Sequence, residues 1–118
     1  MERRESRTYF NIKLAFISGP YRAETPLGIV ENIRRAEAVS KKYWTLGYAV
    51  ICPHMNTALF DGLLPDDAWL MGDLEMLVRC DVIVMMQGWE QSVGATEELR
   101  MAKKWGKEII YETPQKGG

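Results

Sequence analysis

KLAFISGP, Lys13 to Pro20, opens with six residues of buried-strand character, Lys13 to Ser18, and is cut off by Gly19 and Pro20. From about Pro26 or Leu27 to Leu46 apolar residues recur at helical spacing, with Ile29, Ile33, Ala36 and Tyr43 on one face and Gly47 as the stop. A strand, a Gly-Pro loop and an amphipathic helix make the first part of a βα unit, and the same alternation continues outward from it. Tyr48 to Cys52 is predicted as a second strand ended by Pro53. An irregular segment runs through Leu64, and a helix from about Asp66 to Arg79 follows, begun by Pro65 and acidic first-turn residues. Asp81 to Met86 is the third strand, Gln87 to Ser92 a loop, Val93 to Trp105 a helix and Glu108 to Tyr111 the last strand. Strands separated by helices need right-handed crossovers. The prediction is therefore a single three-layer α/β domain over residues 13–112, with a doubly wound parallel sheet of four to five strands covered on both faces. Residues 1–12 and 113–118 are expected to be tails.

A chain of 118 residues that is 47% hydrophobic and 26% charged has one ordinary globular domain's worth of core. With 15 basic against 16 acidic side chains, its net charge of −1 gives no long-range pull toward a nucleic acid polymer or an anionic membrane. Apolar runs are too short to cross a bilayer, and the basic start, Met1 to Arg7, is not followed by an apolar signal core, so a cytoplasmic location is expected. Cys52 and Cys80 lack metal-type spacing and read as reduced, packed thiols. The lone His54 has no companion ligands, so neither a metal nor another cofactor is called for.

In a doubly wound sheet ligands bind beyond the carboxyl ends of the strands. That rule selects Ser18 to Thr25, Pro53 to Leu64, the end of the third strand at Met86, and Gln87 to Gly94. Helical wheels then single out two acids. Glu98 shares its face with Gly94, Ala95, Met101, Ala102 and Trp105, whereas Glu97 lies with Arg100 and Lys104. Asp73 lies with Trp69, Leu70, Met76, Leu77 and Cys80. A buried acid is kept for a partner or a task, although each could also reach water at the edge of its face or cap a backbone. Two carboxylates around one pocket suit cleavage of a glycosidic bond without a metal. The Ser92-Val93-Gly94 turn could hold a phosphate on a hydroxyl and free helix-start amides, or Ser92 could simply cap the helix.

ISGPYRA (Ile17 to Ala23), WLMGDLEMLVRCDVIVM (Trp69 to Met85) and SVGATEE (Ser92 to Glu98), in this order and spacing, resemble the nucleoside 2-deoxyribosyltransferase superfamily. From about Leu14 to Tyr111 the chain resembles a small branch of it, found largely in phages and bacteria, with GWE-x-S-x-G-A near the third strand. The resemblance implies a flavodoxin-like or Rossmann-like fold. It also implies that Glu98, the Glu of S-x-G-x-x-x-E, is the nucleophile, and that Asp73, the first Asp of D-x-x-x-L-x-x-x-D, is a substrate-binding and catalytic acid; Asp81 is that block's second Asp. The chain is also similar to the 2′-deoxynucleoside 5′-monophosphate N-hydrolases. Their phosphate-binding G-x-x-R falls on Gly19 to Arg22 and their phosphate-binding Ser on Ser92, with Pro20 in place of a Ser.

The implied activity is cleavage of the N-glycosidic bond of a (2′-deoxy)nucleoside or its 5′-monophosphate through a covalent glycosyl-enzyme on Glu98, resolved by water. Deoxyribosyl transfer between bases and a non-catalytic nucleotide-sensing module are the alternatives. The helix N-terminus would favour an ionised Glu98 against the effect of burial. Ser18, Gly19, Tyr21, Arg22, His54, Ser92 and Gly94 are expected around the substrate, with His54 either an assistant to the catalytic steps or an exposed loop histidine. Tyr21, Trp69 and Trp89 are candidates to stack on a base, the core being the alternative for Trp69. Related enzymes are dimers or larger, with pockets completed by a neighbour, so a homodimer or higher homo-oligomer is expected.

Overall fold

A computed structural model describes residues 11–112. The expected tails lie outside these residues, save Asn11 and Ile12. β1 (Leu14–Ser18) is flanked by β2 (Ala49–Ile51) and β3 (Val82–Met85), and β4 (Glu108–Tyr111) pairs with β3, giving a parallel sheet of order β2-β1-β3-β4. Both inner strands are covered on two faces, so they read as unbroken apolar runs rather than as alternation. Ala15 to Ser18 and Val82 to Met85 are all buried.

The chain steps from β1 out to β2, then crosses back over β1 to β3. This reversal puts the helices on opposite faces. α1 (Pro26–Thr45) covers the face carrying Ala15, Ile17, Val82, Val84 and Met86, with Ala36 and Tyr43 pressed into it. α3 (Asp66–Leu77) and α4 (Val93–Lys104) cover the other face, where Leu77, Ala95, Leu99 and Ala102 meet Phe16, Ile83 and Met85. Thr25 caps α1 by accepting from the Gly28 N–H at 3.0 Å, Pro26 is its first residue, and Gly47 at φ 104 lets the chain turn into β2.

Element bounds differ from the sequence reading by at most two residues, and the last strand matches it. One element was not anticipated: α2 (Pro53–Asn56), a single turn inside the segment expected to be irregular, formed as Met55 and Asn56 donate to the Cys52 carbonyl. Cys52 and Cys80 are both free thiols. Among the described residues no helix is long and apolar enough to cross a membrane.

Pairing between β1 and β3 runs to the very edge of the sheet. The Met86 N–H donates to the Ser18 carbonyl at 2.8 Å, and a Cβ on Gly19 would lie 2.6 Å from the Met86 Cβ. That neighbour is fixed by the backbone and cannot swing away. Gly19→Ala is therefore expected to lower unfolding free energy by about 1–3 kcal/mol in urea titration; a variant as stable as wild type would mean that the two strand ends are not so close.

Candidate active site

Side chains alternate along β1, so Phe16 and Ser18 point to the α3–α4 face while Ile17 points to α1. Ser18 is buried at the strand's carboxyl end, and its hydroxyl donates to Oε1 of Glu98 at 2.5 Å. Glu98 comes from the second turn of α4, on the face that also carries Ala95, Leu99 and Ala102, and is only 7% exposed. Asp73, half-buried on α3, hydrogen-bonds to the Glu98 carboxyl. The two acids picked out by helical spacing therefore meet, 25 residues apart in the chain, against the end of the central strand.

Burial dominates their titration. It lifts Glu98 from 4.5 to about 8, with the Ser18 hydrogen bond opposing and the Asp73 charge assisting. It lifts Asp73 from 3.8 to about 6, with the hydrogen bond from Glu98 opposing. Both carboxyls therefore hold their protons to higher pH than exposed ones do, Glu98 more strongly than Asp73, and the two titrate as a coupled pair.

Both acids open onto a cleft of about 640 Å³ at the sheet's carboxyl edge, lined also by Gly19, Tyr21, Arg22, His54, Ser92 and Gly94. Ser18 touches this cleft through Glu98. Ser92 caps α4, accepting from the Ala95 N–H at 3.1 Å, and a Cβ on Gly94 would meet nothing within 4 Å, so the floor there is open. Tyr21 donates to Asp61 at 2.7 Å and accepts from the Leu59 N–H at 3.0 Å, which ties the first loop to the opposite wall. Arg22 is held by two acids, Asp61 at 3.2 Å and Asp66.

His54 is 6% exposed, which settles against an exposed loop histidine. Its Nε2 lies 3.0 Å from the Pro20 carbonyl and so carries the hydrogen, while Nδ1 is sealed without a partner among the described residues. Burial lowers its pKa, and the ring stays neutral. Trp69 lines the cleft beside Phe60, with ring centroids 6.3 Å apart. Trp89 does not line it. It packs on the α3–α4 core and against Tyr111, because the 3₁₀ turn Trp89–Gln91 directs it back over the sheet.

Sequence reading passed over Asp61, Phe60 and Asp67, which also line the cleft. They belong to the segment between β2 and α3, or to the first turn of α3, where no periodicity marks a face. Because the folded-state pKa of Glu98 is raised, the stability its protonation gives is complete below pH 4.5 and is lost as pH rises through 8. Glu98→Gln keeps the shape without the charge. It is expected to melt close to wild type below pH 4.5 and at higher temperature than wild type above pH 8; an equal difference at both ends would contradict the shift.

A family model described as a domain of unknown function (DUF4406) matches residues 13–111. No curated protein matches the chain. Among solved structures, a 2-deoxyribosyltransferase from the psychrotolerant bacterium Bacillus psychrosaccharolyticus aligns with a TM-score of 0.60, over 83% of this chain and 70% of that one, at 20% identity. At that identity the likeness is one of fold, an α/β domain with a parallel sheet and helices on both faces. With all but the two ends of the sequence inside the family model, the chain belongs to the DUF4406 family.

Proposed function

We propose that the protein cleaves the N-glycosidic bond of a (2′-deoxy)nucleoside or its 5′-monophosphate, with Glu98 as nucleophile and water as acceptor. The observation that carries this reading is the buried Glu98 carboxyl, held by Ser18 and set beside Asp73 at the bottom of the cleft; with both pKa values raised by burial, the pair is taken to share one proton near neutral pH, held on Glu98 at rest. Moving that proton from Glu98 to Asp73 makes a nucleophile and an acid in one step. The Glu98 carboxylate attacks C1′, the C1′–N bond breaks with its electron pair leaving on the base, and the Asp73 proton neutralises the departing nitrogen. Water then adds to C1′ and gives a proton to Asp73, the bond to Glu98 breaks, and the proton returns to Glu98. Ser18 holds Oε1 of Glu98 and so orients the carboxyl for attack.

Tyr21, Trp69 and Phe60 supply flat walls for a base, and Ser92, Gly94 and Gly19 leave room and polar groups for the sugar. His54 acts by fixing Pro20 and with it the first loop. Hydrolysis is the preferred outcome because the cleft opens to solvent and water can reach the intermediate. A fold shared with a 2-deoxyribosyltransferase keeps transfer to a second base as the alternative. The segment before α3 exposes Leu59, Phe60, Leu63 and Leu64 beside the cleft, and a homodimer formed there would narrow its mouth.

Purified protein is to be incubated with nucleosides, deoxynucleosides and their 5′-monophosphates, with and without a second base, while free base is followed by chromatography. Wild type is expected to release base; Glu98→Ala is expected to be slower by at least about a thousandfold, and Asp73→Asn by about 10² to 10⁴. Dependence on the second base would indicate transfer. No release from any substrate, with a nucleotide still raising the melting temperature, would leave a sensing module. The pH profile of kcat/KM is expected to be bell-shaped, falling below about 6 as the pair gains a second proton and above about 8 as it loses the first. A rate that rises without limit above 8 would remove the proton-sharing step.

A further inference from the structure

A second cavity, of about 560 Å³, adjoins the cleft, and Pro20, Arg22 and Gln91 are walls common to both. Its own side is built by Asn32 and Arg35 from α1 and by Gln87 and Gly88 from the loop after β3. It therefore lies across the carboxyl ends of β1 and β3, where the strand order reverses, on the α1 side of the sheet.

The two cavities differ in charge. Asp61, Asp66, Asp67, Asp73 and Glu98 line the cleft, whereas no carboxylate lines the second cavity. Arg22, on the common wall, is already matched by Asp61 and Asp66. Arg35 is not. Its Nη1 donates to the Asn32 Oδ1 at 3.2 Å and its Nη2 to the Gln87 carbonyl at 2.6 Å, two neutral acceptors that hold the guanidinium in place and leave its charge uncompensated among the described residues. Gly88 has φ 91, a conformation that favours glycine, and its Cα side lies next to Pro20 and the Arg35 Nη2, where a Cβ would make ordinary contacts at 3.5 and 4.0 Å. The positive charge also reaches the cleft wall, where it helps to lower the pKa of His54.

We infer that this second cavity is a phosphate subsite anchored by Arg35, taking the phosphate or diphosphate carried on the sugar of an N-glycoside whose scissile bond lies at Glu98. A guanidinium fixed by neutral partners, with Gln87 and Gln91 beside it and the Asn32 amide already committed to the Tyr21 and Arg22 carbonyls, suits bidentate contact with phosphate oxygens. The acidic cleft beside it repels the same group, so the charge pattern orients the ligand: phosphate toward α1, base and sugar toward α4. The identity of the rest of the ligand rests on the proposed glycosidase reading, whereas the anion site does not.

Calorimetric titration of the whole protein with pyrophosphate and with inorganic phosphate is the first arm. Arg35→Gln is expected to weaken pyrophosphate binding at least about tenfold, with Arg35→Lys between it and wild type, while Glu98→Gln binds as wild type does. Arg35 is exposed on a helix and Gln is an equally good helix former, so an unchanged melting temperature checks the fold of the variant. Absence of pyrophosphate binding, or equal binding by Arg35→Gln, overturns the subsite even if base is released from free nucleosides. In the second arm, Arg35→Gln is expected to raise KM for 5′-phosphorylated substrates and leave that for free nucleosides unchanged. Pyrophosphate bound through Arg35 without competing with a phosphorylated substrate would mean a separate phosphate ligand and would overturn the link to the sugar. If pyrophosphate binding depends on Arg35 and no glycoside is cleaved, the subsite stands and the glycosidase reading falls.

Discussion

Placing the ionised Glu98 carboxyl against the end of β1, away from water, costs more than the hydrogen bond from Ser18 returns, and this burial is what raises its pKa. Much of the surrounding architecture is what makes that placement possible. Ser18 must be the last residue of a strand buried on both faces, with the side-chain parity that aims it at α4 rather than α1. Gly19 must lack a side chain so that β1 and β3 stay paired up to Met86 and close the floor behind the carboxyl. Asp73 must project from α3 to share the proton. The sheet's reversal of strand order is the geometric condition for all three, since it separates α1 from α3 and α4 and leaves a crevice at the carboxyl edge.

Electrostatics divide this crevice along the ridge of Pro20. On one side, carboxylates outnumber the single Arg22, which is neutralised by two of them; on the other, Arg35 stands among neutral amides. His54 belongs to neither side as an acid or base. Its ring bridges from α2 to the Pro20 carbonyl and is edge-on to Tyr21, with centroids 6.1 Å apart, so it props the ridge itself. Tyr21 in turn reaches Asp61 and Leu59 across the cleft. The first loop is thus fixed from several directions by groups distant in sequence, an arrangement suited to a preorganised site.

Much of this was legible in the residues. Runs such as LAFIS and DVIVM, separated by helices, define the inner parallel strands, because burial on both faces leaves no alternation to confuse them. Glu98 and Asp73 stood out because helical spacing surrounds each with apolar neighbours, and both face the core edge as that spacing implied. Other features have no local signature. The four residues of α2 are too few for a period, and Asp61 acquires meaning only when the fold brings Tyr21 and Arg22 to it. Arg35 looks like any solvated helix residue until Gln87 and Gly88, more than 50 positions later, are folded against it. Trp89 misleads for the same reason, since the 3₁₀ turn that redirects it is set by the Gly88 backbone rather than by pattern.

The central claim is that Glu98 forms a bond to the sugar. Intact-mass spectrometry of protein quenched during turnover, followed by peptide mapping, tests it most directly. A mass increase equal to one glycosyl residue, on the peptide containing Glu98 and absent from Glu98→Gln, is the expected result. Base release by the wild type with no adduct at any quench time, or with an adduct on another residue, would contradict the account.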